Sequence, residues 1–518
     1  MLIRRPRTIS PTDPLLAKTT LDKDLGKVTR LQSATQDISR QIALPGLSVL
    51  FLVGVTVFAT LVVADGPLAV YAIVGAVVAG YLALNIGAND VANNMGPAVG
   101  GKALPMAWAL VIAGVCEAAG AILAGGDVVS TVSKGIITPP ADLATLDFIL
   151  VMTAALFAAA VWINLATVIG APVSTTHSIV GAVLGSGVAA AGFGVVAWPT
   201  LGAIAASWVI SPVLGGLVAA GLLALIKFAI LFRQDRIAAA RTWVPVLIGL
   251  MSGVFTLYML SKGLSRIWAP SDRTALTLGA LMALAGWLAA RPWIARRSAL
   301  MENRRKEVSR LFVLPLICAA GLLSFAHGAN DVANAVGPLA AIVSAAQTGS
   351  ATTQGDVILP LWVLAIGAVG ISLGLALFGP RLIRTVGEKI TKMDAMRAYC
   401  VAQAAAITVL AASSLGLPVS STHIAIGGIF GVGLLRELLT NRGIRRRPNG
   451  GVTFEPPTLA PVPQTAEQAE RQREKTEKRR LVRRRHAWGI AAAWVITVPA
   501  AGLLSGGLYT LLSALIQP

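Results

Sequence analysis

Residues 87–97 read Gly-Ala-Asn-Asp-Val-Ala-Asn-Asn-Met-Gly-Pro, and residues 328–338 read Gly-Ala-Asn-Asp-Val-Ala-Asn-Ala-Val-Gly-Pro. A second pair follows, Pro-Val-Ser-Thr-Thr-His at 172–177 and Pro-Val-Ser-Ser-Thr-His at 418–423. The separation is 88 residues from Asn89 to His177 and 93 from Asn330 to His423. Two matched motifs at nearly matched spacing mark an internal repeat. Each motif sets glycine, proline and polar residues into strongly apolar sequence, so the surroundings decide what the repeat can be.

Those surroundings are too apolar for water. Of 518 residues, 55% are hydrophobic and 13% charged, and the mean hydropathy is +0.73. Soluble domains carry about 25% charged residues. The reading is an all-α polytopic membrane protein, which excludes a soluble enzyme, a disulfide scaffold and a disordered chain. Cys116, Cys318 and Cys400 lie in apolar segments without CxxC spacing, so neither disulfides nor zinc are expected. No apolar stretch precedes residue 42, which argues against a cleavable signal peptide.

Apolar runs long enough for a bilayer, about 20 residues, lie near 43–64, 68–88, 103–125, 148–170, 199–231, 243–261, 274–290, 311–344, 357–379, 397–415 and 487–512. Two Gly-rich runs behind the second motifs, 173–191 and 418–435, either span or re-enter. The expectation is therefore 12–13 transmembrane segments with broken or re-entrant helices. The net charge of +19 is gathered in blocks between them: eight Lys and Arg in 1–42, seven in 291–310, five in 380–397 and fourteen in 436–486, against none in 345–356. With the N-terminus cytoplasmic, the rich blocks fall inside and the poor ones outside, as the positive-inside rule requires. Only 262–273, with Lys262, Arg266 and Arg273, runs against it. A pI of 10.6 thus reports topology and contact with membrane lipid, and no nucleic-acid partner is expected. The C-terminus falls outside.

In this topology the first GAND segment runs outside to inside and the second inside to outside, so the halves are inverted copies. The parts are a cytoplasmic extension (1–42), an additional N-terminal helix (43–67), repeat 1 (68–232), connecting helices and basic loops (233–310), repeat 2 (311–435), a basic cytoplasmic loop (436–486) and a last helix completing repeat 2 (487–518). Inverted repeats with interrupted helices are secondary-transporter architecture, with the ligand near the bilayer midplane.

A carboxylate in a low-dielectric core must be protonated or paired. No Lys or Arg lies near Asp90 or Asp331 in sequence apart from Lys102, so a mobile cation, sodium or a proton, is expected as the counter-charge. The Gly-Ala-Asn-Asp stretch is a poor helix interior. It is read as a local break whose carbonyls, with Asn89, Asn93, Asn330 and Asn334, complete an oxygen cage. Asn and Asp that merely cap helix ends are the alternative. The second motifs read as helix starts, with Pro in the first turn. Their free N–H groups and the hydroxyls of Ser174, Thr175, Thr176, Ser420, Ser421 and Thr422 suit an oxyanion; simple capping is again the alternative. Glu117 is a further intramembrane acid. His177, His423 and His327 are read as packing and hydrogen bonding near the site, with a proton relay as the alternative. No triad, HExxH or phosphate-cradling loop occurs, so no enzyme activity is expected.

At these residues the chain resembles the inorganic phosphate transporter (PiT) family of sodium- or proton-coupled symporters. Gly87–Asn93 with Pro172–His177, and Gly328–Asn334 with Pro418–His423, look like its paired signatures, and the similarity covers most of 68–435 and the final helix. The resemblance implies an inverted-repeat fold with phosphate at its centre. It implies phosphate at Asn89, Asn93, Ser174, Thr175, Thr176, Asn330, Asn334, Ser420, Ser421 and Thr422, with the cation (sodium, if sodium-coupled) at Asp90 and Asp331. Glu117, His177, His423 and Gln403 would be accessory. Gln403 and Ser130 stand where some members carry acids, and the helix 43–64 is additional to the shorter family pattern. The expectation is a cation-coupled phosphate importer of the cell membrane, without a cofactor beyond its coupling ion, with homo-oligomerisation open. A sulfate permease of the same fold is the nearest alternative, an anion channel and a phosphate-ester enzyme the more distant ones.

Overall fold

A chain segment in hydrocarbon has no water to satisfy its N–H and C=O groups, so apolar stretches of this length close their hydrogen bonds internally as helices. The structure, a computed structural model, describes residues 42–169, 173–264, 268–351, 359–389, 393–441, 444–446, 452–454 and 484–516. The N-terminal extension up to residue 41, Pro172 and most of the basic loop after 441 lie outside the described residues.

The helices are α1 (Ile42–Val62), α2 (Ala69–Gly100), α3 (Met106–Ala124), α4 (Gly126–Lys134), α5 (Thr145–Ile169), α6 (Thr175–Ala191), α7 (Trp198–Ile226, continuing as a π turn to Leu231) and α8 (Arg236–Tyr258, likewise to Gly263). There follow α9 (Asp272–Ser298), α10 (Arg305–Leu311), α11 (Val313–Thr348), α12 (Leu361–Lys389), α13 (Ala395–Ser414), α14 (Ser421–Asn441) and α15 (Arg484–Ile516). A short antiparallel hairpin, β1 (Ile444–Arg446) with β2 (Val452–Phe454), precedes α15. Among the described residues twelve helices are long and apolar enough to cross a membrane. The chain is a multi-pass membrane protein. The α6 helix, at 17 residues, is the shorter apolar one. The chain divides into two compact units, Met1–Phe51 and Leu52–Pro518, and the second holds every helix from α2 onward.

The repeats interlock by exchanging partners. Helix α2 of the first half packs on α12 of the second, and α11 packs on α3. Both contacts close on glycine. A Cβ on Gly87 would sit 2.0 Å from the Ile371 carbonyl oxygen, and one on Gly374 2.0 Å from that of Leu84. At the matching place, a Cβ on Gly328 would sit 2.1 Å from the Glu117 carbonyl oxygen and one on Gly120 2.0 Å from that of Phe325. Without a hydrophobic drive between helices in lipid, such backbone-to-backbone approach is what holds them. The pattern recurs where Gly185 of α6 meets Gly502 of α15, and where Gly431 of α14 meets Gly216 of α7. Large side chains such as Val209, Ile210, Val213 and Leu217 of α7 are exposed, which suits a face turned to lipid.

Two local expectations need correcting. The GAND motifs do not break their helices: α2 and α11 run continuously through Gly87–Asn93 and Gly328–Asn334. The propensity penalty, of order 0.5–1 kcal/mol per Gly, Asn or Asp, is smaller than the gain from closing backbone bonds in a dry core. No unwound carbonyls are therefore available there, and the polar side chains act through helical spacing instead. Nor does proline enter the first turn of α14. Pro418 stands three residues ahead of Ser421, where that helix begins. The interruptions fall at the second motifs, between Ile169 and Thr175 and between Ser414 and Ser421.

Candidate functional site

An uninterrupted helix puts residues three and four apart on one face. On α2 that face carries Asn89, Asp90, Asn93 and Asn94; on α11 it carries His327, Asn330, Asp331 and Asn334. Asp90, Asp331 and His327 are all buried and come together, with one ligand atom from each within 4.8 Å of the others. The carboxylates therefore share one site.

Asp90 is heavily solvated by protein. Its Oδ1 accepts from Asn89 Nδ2 at 2.9 Å, from Thr422 Oγ1 at 3.2 Å and, at 3.4 Å, from Asn93 Nδ2. Thr175 Oγ1 lies 3.0 Å from Asp90 Oδ2 and 3.3 Å from Asp331 Oδ2, so one hydroxyl is shared between the two acids. The motifs also cross between halves: Asn93 Nδ2 donates to Thr422 Oγ1 at 2.7 Å and Asn334 Nδ2 to Thr176 Oγ1 at 3.3 Å. Within the halves, Asn89 Nδ2 donates to the Val173 carbonyl at 3.1 Å, while Asn330 donates to that of Leu417 and accepts from Val419 N, each at 3.1 Å. The asparagines thus tie each GAND helix to the loop that starts a second-motif helix. Ser174 and Ser420 serve as caps, accepting from His177 N at 3.2 Å and His423 N at 3.3 Å. For these two serines, capping is the role the coordinates display.

A histidine stands beside the buried acids. His327 Nε2 lies 3.0 Å from Asp331 Oδ2 and 3.6 Å from Asp90 Oδ2, and its Nδ1 lies 3.4 Å from Glu117 Oε2. Neither ring nitrogen meets hydrogen-bond geometry, so these are close approaches that become ionic when the ring is protonated. The fully buried Glu117 also accepts from Asn94 Nδ2 at 2.9 Å through Oε1. A histidine read as packing is thus the hub of three carboxylates. The i,i+4 spacing of His327 and Asp331 is the signal that reveals it, and reading a helix break at GAND concealed it. Asn94, whose i+4 relation to Asp90 was hidden by the same error, was missed altogether.

The halves are unequal here. Residues matched by the glycine contacts and by the motifs place Ile86 opposite His327, Ile371 opposite Glu117 and Ala335 opposite Asn94. At each of these three pairs one position is polar and its counterpart apolar. The His177 ring packs 3.7 Å from that of Trp208 and 4.6 Å from that of His423. Gln403 is buried on α13, its Oε1 without a hydrogen-bond partner.

Several buried polar atoms of the motifs also lack partners: Asp331 Oδ1, Asn334 Oδ1 and Ser421 Oγ. Buried groups are nearly always satisfied, so orphans gathered on these motifs suit a ligand. Hard oxygen donors from Asp90, Asp331 and Thr175 suit an alkali cation, and the free hydroxyl of Ser421 suits an oxyanion.

The family model described as "Phosphate transporter family" matches residues 86–505. The chain belongs to the phosphate transporter family. Both motif pairs, Glu117 and His327 lie inside the matched range, whereas α1 precedes it. Among relatives of this phosphate transporter, a "Putative phosphate permease" of Helicobacter pylori is 46% identical over 82% of this chain and 80% of its own length. One of Thermococcus kodakarensis with a like name is 37% identical over 68% of this chain and 86% of its own. A solved structure titled "The sodium-dependent phosphate transporter" is similar with a TM-score of 0.73 at 32% identity, over 86% of this chain and all of that one.

Proposed function

We propose that this phosphate transporter imports inorganic phosphate by symport with a cation, sodium in the first instance, through alternating access between two inverted repeats. The observation that carries the reading is the convergence of Asp90 and Asp331, one from each repeat, on a single buried cluster. A site built from both halves changes its exposure when the halves rock against each other. The basic blocks support a cytoplasmic N-terminus and an external C-terminus.

Charge sets the order of events. Asp90, Asp331 and Glu117 gather three carboxyl groups around one histidine ring. Two like charges about 4 Å apart repel by about 4 kcal/mol at an effective dielectric near 20. An incoming phosphate is thereby weakened by roughly 10²–10³-fold. Sodium on the oxygens of Asp90, Asp331 and Thr175 removes that penalty, so phosphate binds once the cation is in place. Ser421, Thr422, Thr176 and the asparagines Asn93 and Asn334 are the assigned phosphate partners, with Asn89 and Asn330 anchoring the loops and Ser174 and Ser420 presenting the helix starts. Sodium receives further support from the sodium-dependent neighbour, in what its title says of that protein.

Reconstituted proteoliposomes with imposed sodium or proton gradients test the reading. Accumulation of radiolabelled phosphate driven by sodium is expected. Uptake indifferent to both gradients sinks symport, and acceleration by protons alone reassigns the coupling ion.

A further inference from the structure

Where α2 ends and α10, α11 and α13 begin, the bundle opens into a cleft of about 840 Å³. Five of its walls are basic, Lys102, Arg305, Lys306, Arg310 and Arg397, against a single lining carboxylate, Asp394. Asp394 holds Arg397 through Oδ1 at 3.0 Å and Oδ2 at 3.1 Å, and Arg305 through Oδ2 at 2.7 Å. Arg310 pairs with Glu307 at 2.9 Å. Among the described residues Lys102 and Lys306 have no ion-pair partner, and both are exposed. Even counting Glu307, three positive charges stay uncompensated. Lys227 and Arg436 stand near enough to feel Arg305 and Arg397 electrostatically, which strengthens the field.

Lys102 sits there at a conformational cost. Its φ of 56° is the one positive value among the described non-glycine residues. It occupies the left-handed position after α2, where Lys102 N reaches the Val99 carbonyl at 3.0 Å and Ala103 N that of Ala98 at 2.9 Å. Glycine ordinarily holds this position. A lysine retained against that preference, aimed into an open cleft already rich in cations, is a placed charge.

We propose that this cleft is a second anion site, separate from the buried cluster, that takes a phosphate-bearing group through Lys102 and Lys306 with the Arg305–Arg397–Asp394 network as its floor. Guanidinium and ammonium groups together suit a phosphate better than a carboxylate pair, because the ligand presents several acceptor oxygens at once. Two sources carry that chemistry at the end of a membrane bundle: the headgroup of an anionic phospholipid, and free inorganic phosphate. The site does not depend on the transport reading, since it is tested by binding alone.

The full chain, purified in neutral detergent, is offered phosphatidylglycerol or phosphatidylcholine, and lipid retained per chain is read by native mass spectrometry. In parallel, equilibrium binding of radiolabelled inorganic phosphate is measured without lipid. Lys102→Gln with Lys306→Gln is compared with Arg296→Gln with Arg297→Gln, an equal loss of charge on exposed positions of α9. A drop of tenfold or more in retained phosphatidylglycerol in the first pair, and under twofold in the second, supports the site with a headgroup as its ligand. Loss of one bound phosphate per chain with lipid retention unchanged supports it with free phosphate. If the cleft variant alters neither reading more than the α9 control does, the proposal is overturned. Should the double variant fail to fold, the exposed Lys306→Gln is read alone, with at least a threefold effect expected and an effect equal to the control overturning the site.

Discussion

His327 touches carboxylates from two other helices as well as its own, and the energetics of the cluster turn on it. Removing one partner of a buried ionic group costs about 3–5 kcal/mol because the other charges stay behind unpaired. His327→Gln is therefore expected to lower the thermal midpoint in detergent. Sodium is expected to raise the midpoint of that variant more than it raises the wild type's, since the ion then replaces the missing charge. An equal sodium shift in both proteins would separate His327 from the cation site. Adding Glu117→Gln removes one of the stranded carboxylates, so the double variant should be more stable than His327→Gln alone, a non-additivity typical of shared networks. Asp90→Asn and Asp331→Asn keep size and hydrogen bonding but lose the charge that draws the cation. Each is expected to cut sodium-driven phosphate uptake at least 100-fold, and normal uptake in both would remove these acids from the mechanism.

Helices in this molecule are held by contacts too close for a methyl group. A Cβ on Gly87 would sit 2.0 Å from the Ile371 carbonyl oxygen, whereas one on Gly221 of α7 would meet nothing within 4 Å. Gly87→Ala should destabilise by about 3 kcal/mol through overpacking between α2 and α12. Gly221→Ala should be neutral or stabilising by up to about 1 kcal/mol, as alanine is in a helix; thermal midpoints of the two variants distinguish these outcomes. The start of α13 has its own pH dependence. Burial alone would raise the Asp394 carboxyl, but hydrogen bonds and charge from Arg397, with the charge of Arg305, hold it below the usual carboxylate range. A depressed folded value means that the stabilisation is present above the unfolded value of about 3.9 and is lost as pH falls through the folded one. Asp394→Asn should thus cost about 1 kcal/mol at pH 7, the scale of a partly exposed ion pair. That difference from wild type should shrink as pH falls through the lowered folded value and be gone once the carboxyl is protonated in both states, which chemical denaturation at pH 7 and along an acid series would measure.

At the scale of the whole molecule, the two halves meet in a site that neither completes. Phosphate and sulfate are both tetrahedral, but only phosphate carries a proton at neutral pH to offer a buried carboxylate oxygen. Asp331 Oδ1 is such an oxygen, without a partner of its own. Unlabelled sulfate is therefore expected to compete for phosphate uptake at least tenfold more weakly than unlabelled phosphate, and equal competition would make the protein a general oxyanion permease. The halves share their motifs but not these polar residues: His327, Glu117 and Asn94 have Ile86, Ile371 and Ala335 as counterparts.

The apolar runs, the duplicated motifs and the basic blocks were legible because they depend on local chemistry. A segment of about 20 apolar residues must become a helix in lipid whatever its neighbours, and a repeated motif is visible without knowing where it lies. What the one-dimensional reading misjudged was the GAND segment, because intrinsic propensity favours a break and only the dry surroundings outweigh it. The i,i+4 relation of His327 to Asp331 is legible once the helix is read as continuous, but its contacts with the other two acids were out of reach. Asp90 and Glu117 stand 237 and 210 residues before His327, and helices exchanged between the halves bring the three together. Sequence by itself determined that charge would be buried in a membrane protein with two related halves. Tertiary packing alone decided which side chain answers that charge, because the strength of an electrostatic contact follows distance through space, not separation along the chain.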